Sequence, residues 1–183
     1  MKTLRIVLAG LMFAAAGATV AHVAADDRDN DNRIRTKLVG FNEVPIVSTV
    51  ASGRLMAQIA KDEQSIEYSL TINDLQGIVA QAHIHLAQRD VNGGIVLWLC
   101  QGTTRAPAQV AATTPECPQE GEVTGVLNAA SVTPVATQQI GANELGEVID
   151  AIRAGKAYAN VHTNLSPGGE IRGQLDADHG GHR

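Results

Sequence analysis

An antiparallel β-sandwich with Greek-key-like order and one short helix near its C-terminal end is the fold that the sequence predicts. Short apolar segments alternate with polar residues at period two, and Gly, Pro, Asn and Asp punctuate them at close intervals. Only one segment, late in the chain, carries the 3.6-residue period of an amphipathic helix. Successive strands without intervening helices exclude a parallel sheet with crossovers.

The elements follow in order. Lys2 and Arg5 precede an apolar run over residues 6–16, and Val23-Ala24-Ala25 supplies the small residues of a cleavage site, so residues 1–25 read as a signal peptide cut after Ala25. No later stretch approaches the roughly 20 apolar residues of a membrane span, so no transmembrane segment is expected after cleavage. Residues 26–33, nearly all charged or polar, form an expected disordered acidic arm. Residues 34–175 suit one domain, and residues 176–183 make a polar tail.

Within the domain a first strand over 34–39 is broken by Gly40-Phe41-Asn42-Glu43-Val44-Pro45. Leu55, Ala57 and Ile59, a turn at Lys61-Asp62-Glu63-Gln64, then Ile66, Tyr68, Leu70 and Ile72 predict a hairpin with one buried face. A turn at 73–77 leads to a strand over 82–86, and Asn92-Gly93-Gly94 separates it from a core strand over 95–99. Residues 101–122 hold no period and read as a long surface loop; residues 123–127 return to the sheet. Leu145, Val148, Ile149 and Ile152 make the helical stripe, with Asn143 or Gly141 to start it and Gly155 to end it. Strands over 157–163 and 170–175, joined by a turn at 165–169, close the domain.

A formal net charge of −5 with scattered Lys and Arg predicts no basic patch for nucleic acid or an anionic membrane. Cys100 and Cys117 read as one disulfide formed in an oxidising compartment. The alternative, two thiolate metal ligands, lacks a Cys-x-x-Cys spacing.

The chemistry centres on Ala82-His83-Ile84-His85-Leu86. In a strand His83 and His85 share one face, about 7 Å apart, while Ala82, Ile84 and Leu86 take the other. Imidazoles suit copper, zinc and nickel, and His162 is the third candidate because Tyr158, Asn160 and His162 alternate onto one face of their own strand. Glu170 could orient a ligand histidine, with Asn160 and Arg172 beside it. The competing reading is structural: histidines bonded to backbone carbonyls or to Glu170, Asn160 bonded across the sheet, and Arg172 in a solvated cross-strand ion pair. Asp90 and Asn92 beside Gly93-Gly94 read as a turn more readily than as a calcium loop, and Trp98 as core. His179 and His182 would bind metal only from a flexible tail. Ser166 and Thr163 have no placed acid partner for nucleophilic catalysis.

Gly40, Glu43-Val44-Pro45, Gly53, His83-Ile84-His85 with Gly94, the helix ending at Gly155, residues 158–163, and Pro167-Gly168-Gly169-Glu170-Ile171-Arg172-Gly173-Gln174 together resemble the CHRD domain, named after chordin and found also as a single module in exported bacterial proteins. The resemblance covers roughly residues 35–175. Departures fall at Ile46, where a second proline is common, and at Leu86-Ala87-Gln88, where a glycine is common. The resemblance implies a periplasmic or secreted binding module rather than a catalyst. Three functions follow: a metal module holding copper, or zinc, at His83, His85 and His162; a protein-interaction or matrix module whose partner is another exported protein; and, by a looser similarity to Cu/Zn superoxide dismutases, a redox enzyme. The last lacks that family's bridging histidine and zinc-ligand loop.

Overall fold

The structure is a computed structural model that describes residues 32–175. Eight strands, β1 (Arg33–Val39), β2 (Ser52–Ile59), β3 (Ser65–Asn73), β4 (Val79–Leu86), β5 (Gly94–Gln101), β6 (Gly121–Asn128), β7 (Ala157–Thr163) and β8 (Ile171–Leu175), pair antiparallel. They form one sheet in the order β5-β4-β7-β8-β1-β2-β3-β6. Its apolar face folds onto itself, so that Leu55, Leu70 and Ile72 from one half share a core with Ile84, Leu99, Val161 and Ile171 from the other. The two layers of the expected sandwich are thus halves of a continuous sheet. The two ends of the sheet are tied where they approach: Tyr68 of β3 donates its hydroxyl to the Leu99 carbonyl of β5 at 2.5 Å, and Thr133 N–H, beyond β6, donates to Val96 O of β5 at 2.9 Å.

The predicted hairpin forms with the expected face inward, Leu55, Ile59, Ile66, Tyr68, Leu70 and Ile72 all being buried. Among the described residues two α-helices form, α1 (Ala108–Ala111) and α2 (Leu145–Arg153). The apolar stripe of α2 joins the main core. Its start differs from expectation: Glu144 occupies the cap position, and its carboxylate accepts from Gly141 N–H at 2.6 Å. Its end is as read. Gly155 adopts φ +66, and bonds from Gly155 N–H to Ile152 O and Lys156 N–H to Ala151 O close a Schellman turn.

The loop between β5 and β6 is more ordered than its sequence suggests. The buried carboxamide of Gln101 donates to Ala111 O and Thr114 O and accepts from Ala106 N–H, holding α1 over Trp98, Ala106 and Val110. Cys100 and Cys117 form a disulfide across the same loop, their Cα atoms 4.9 Å apart. Asn32 and Arg33, assigned to the disordered arm, belong to the fold: Arg33 pairs with Gln58, and buried Asn32 accepts from Arg153 at 2.7 Å. The signal peptide, the rest of the arm and the tail with His179 and His182 lie outside the described residues.

The disulfide closes a loop of 17 residues, so replacing both cysteines by serine should cost about 3 kcal/mol on the chain-entropy model. Urea unfolding of the double variant against the oxidised parent measures it, and an unchanged midpoint would contradict this account.

Candidate metal centre

β4 and β7 pair with Gln81 opposite His162, His83 opposite Asn160 and His85 opposite Tyr158; on the far side of β7, Asn160 faces Arg172 and Tyr158 faces Gln174. Directly opposed residues project to the same side. His83, His85, Tyr158, Asn160, His162, Arg172 and Gln174 therefore crowd one face, while Ala82, Ile84, Ala159 and Val161 fill the core. The crowded face is the outer one, and each of these seven residues is nevertheless buried.

Three loops cover it. The 40–51 segment is fastened by Asn42 Nδ2 donating to Arg172 O at 3.2 Å and by Thr49 Oγ1 donating to Glu170 at 2.9 Å. The 87–93 segment reaches the first through Asn92 Nδ2 donating to Val44 O at 3.0 Å. The 164–169 turn lies over His162. Gly169, at φ +126, leaves room for the Glu43 carboxylate where a Cβ would stand.

The proton positions follow from these contacts. A carbonyl only accepts, so His85 Nδ1–H donates to Gly93 O at 3.0 Å and His162 Nδ1–H donates to Pro167 O at 2.9 Å. Burial holds all three rings below the ordinary histidine value: His85 at about 4, His83 well below, and His162 lowered. With His162 neutral its Nε2 is bare, and His83 Nδ1, 3.3 Å away, donates to it. That leaves Nε2 of both His83 and His85 bare, buried and without a partner. Asn160 Oδ1, its amide held by Glu43, stands 3.0 Å from the same Nε2, so with His162 donating from Nδ1 two electron pairs face each other there.

This is the chemistry a cation needs. One nitrogen from each ring can be chosen so that all lie within 4.8 Å of one another. A common centre then lies at most about 2.8 Å from each (4.8 divided by √3), against the roughly 2.0–2.1 Å of a metal–imidazole bond, so ring movements under an ångström complete the contact. The carbonyls of Gly93 and Pro167 do what outer partners of metal-bound histidines do: they hold the second ring nitrogen and turn the first inward.

The other expected residues are placed as follows. Asn160 lies between Glu43 and His162. Glu170 does not reach a histidine: its carboxylate is filled by Thr49, the Gln76 N–H and Thr163, because β7 and β8 part after Val161 opposite Ile171 and Glu170 sits beyond the ladder. Arg172 is no solvated ion pair. It is 2% exposed, its guanidinium carbon lies 3.4 Å from the centre of the Tyr158 ring, and it donates to Asn92 Oδ1 at 3.0 Å and Val91 O at 2.7 Å. Asn92 is thereby a strut rather than a calcium ligand. Tyr158 in turn stacks on His85, the rings 4.7 Å apart and 3° from parallel. Trp98 packs edge-on against His83 and belongs to a satellite cluster of the core.

Glu43 is the residue that reading for chemistry missed. It is buried, and burial raises it to about 7 against the pull of Arg172, with one carboxylate oxygen unpartnered. Its signal was present in a lone acid between Asn42 and Val44-Pro45, in a segment with no other charge from Gly40 to Gly53.

These shifts make the metal-free protein sensitive to acid. A histidine held low in the fold takes up protons more readily once unfolded, so its contribution is complete above about 6.5 and is lost as pH falls toward 4, at up to about 1.4 kcal/mol per unit for each ring. Glu43 acts oppositely, costing stability as pH rises from 4.5 to about 7. Three rings outweigh one acid, so stability should rise from pH 4.5 to 6.5, and Glu43→Gln should steepen the rise. Urea unfolding at several pH values checks both, and a flat profile would show that the rings are not neutral and buried.

The CHRD domain family model matches residues 34–175, from within β1 to the last residue of β8. No curated protein and no solved structure matches the chain. By that match the chain belongs to the CHRD domain family.

Proposed function

We propose that this is an exported binding module whose three-histidine centre, His83, His85 and His162, holds a transition metal, copper or alternatively zinc. The observation that carries the reading is the pair of bare, buried, unpartnered Nε2 atoms on His83 and His85 beside a third ring whose Nδ1–H is held by a backbone carbonyl. Neutral imidazoles need shed no proton to bind, and a sulfur-free nitrogen set suits both ions. The disulfide and the apolar N-terminal run support export.

Burial favours holding a metal over turning over a substrate. The loops that cover the rings close the position that a dismutase-like reaction would require to be open. An interaction role has its own support. Phe41, Ile46, Val50, Ile78, Val91 and Leu165 are large apolar residues left exposed, all on the loops that surround the covered face.

Metal analysis of protein purified from its native compartment, followed by Cu(II) and Zn(II) titration of the stripped protein, tests the reading. One equivalent should bind and raise Tm by about 5–10 °C at a hundredfold excess over Kd. His85→Ala and His162→Ala should each abolish that rise. Binding that survives both substitutions would place the metal elsewhere, and no binding at all would leave the histidines structural.

A further inference from the structure

We propose that the outer face of β1 and β2 binds an extended acidic polysaccharide. Lys and Arg look scattered in sequence, but the strand period gathers them. Arg33, Arg35 and Lys37 stand at i, i+2 and i+4 on the exposed side of β1, and the β1–β2 register sets Arg54 directly opposite Lys37. The row spans about 13 Å at the usual strand rise. None of the four takes part in the Arg105–Glu116 or the Arg153–Glu63 ion pair.

Like charges set directly across an antiparallel pair repel, so the Lys37–Arg54 juxtaposition costs stability that nothing on this face returns. A cavity of about 190 Å³ opens between those two cations, with Ser52, Thr71 and Asn73 around it. A shallow groove of about 530 Å³, which includes Arg33 and Arg35, lies next to it along the same strands. Of the acids on this face, Glu67 on β3 lines the groove across from Arg33 and Arg35 and none lines the cavity at Lys37 and Arg54, while Glu122 on β6 accepts the Ser69 hydroxyl.

The surroundings select the class of polyanion. Both strands are interior to the sheet, β1 between β8 and β2 and β2 between β1 and β3, so a peptide cannot add as a further strand. The face presents no aromatic ring on which bases could stack, Tyr68 beneath the groove being buried with its hydroxyl bound to Leu99. Cations interleaved with hydroxyls and carboxamides match a chain that alternates carboxylate or sulfate groups with sugar hydroxyls.

The test uses the chain from Asp26 onward, with polygalacturonate as the carboxylate probe and dextran sulfate as the sulfate probe, against neutral dextran, poly-glutamate and duplex DNA. At least one acidic polysaccharide should bind in a salt-sensitive manner, and the tighter of the two identifies the recognised group. Lys37→Gln with Arg54→Gln should weaken that binding about tenfold, whereas Arg105→Gln with Lys156→Gln, the same loss of two charges on other surfaces, should not. Without ligand the double variant should melt about 1–2 °C higher, since it relieves a repulsion, so weakened binding would not reflect misfolding. Failure of both probes, full binding by the double variant, or equal binding of poly-glutamate or DNA would overturn the proposal.

Discussion

A sheet face carrying three histidines, an asparagine, a glutamine and an arginine cannot leave water unless those groups find other partners. Here the inner face of β4, β7 and β8 is committed to the core and the outer face is that polar one, so the partners must come from chain laid over it. The loops before β2, after β4 and before β8 supply them. Backbone carbonyls of Gly93, Pro167 and Val91 face the polar side chains, and Asn42 and Asn92 bond the loops to what lies beneath. The loops are therefore as much a part of the centre as the strands.

Arg172 shows how tightly this holds. Its charge is compensated by the face of Tyr158, two oxygen acceptors and the nearby Glu43 carboxylate, and losing such support around a buried charge typically costs about 3–5 kcal/mol. The same guanidinium clamps Tyr158, and Tyr158 lies flat on His85, so the orientation of a candidate ligand ring is fixed from two strands away. Glu170 does for the loops what Arg172 does for the rings. Thr49, Gln76 and Thr163 come from three separate segments and meet on its two oxygens.

The strands, the buried hairpin face, the stripe of α2 and the facing of His83, His85 and His162 were legible because each depends on a short-range period that burial reinforces. The covering was not. Residues such as Glu43, Asn92 and Pro167 sit in loops, where position follows from long-range closure and no period reports it. Arg172 was misjudged because a charge on the outer side of a strand ordinarily meets water. Gln101 was passed over for a related reason: nothing local distinguishes a glutamine that organises a loop from one that decorates it. The cationic row on β1 and β2 was hidden by reading charge along the chain, although Arg33, Arg35 and Lys37 already alternate there, and only the register adds Arg54.

What remains unsatisfied beneath the loops has a sign. Nε2 of His83, Nε2 of His85, an oxygen of Glu43 and Oε1 of Gln174 are all buried without a partner and each offers an electron pair, whereas beside them a single donor, the Trp98 indole N–H, is left over. The hydrogen bonds that do form use up the ring protons on carbonyls and on His162, which is why the bare nitrogens face inward. Each unanswered acceptor typically costs about 1–3 kcal/mol, and protonating the rings would answer them only by burying positive charge beside Arg172. A water could donate to two of these atoms. A divalent cation would engage two bare nitrogens at once and take His162 as a third ligand in place of the His83 proton, without adding a buried charge that lacks ligands. Four unpaired acceptors against one unpaired donor, the Trp98 N–H, make an excess of electron pairs, and that excess is what favours a metal over a network of hydrogen bonds alone.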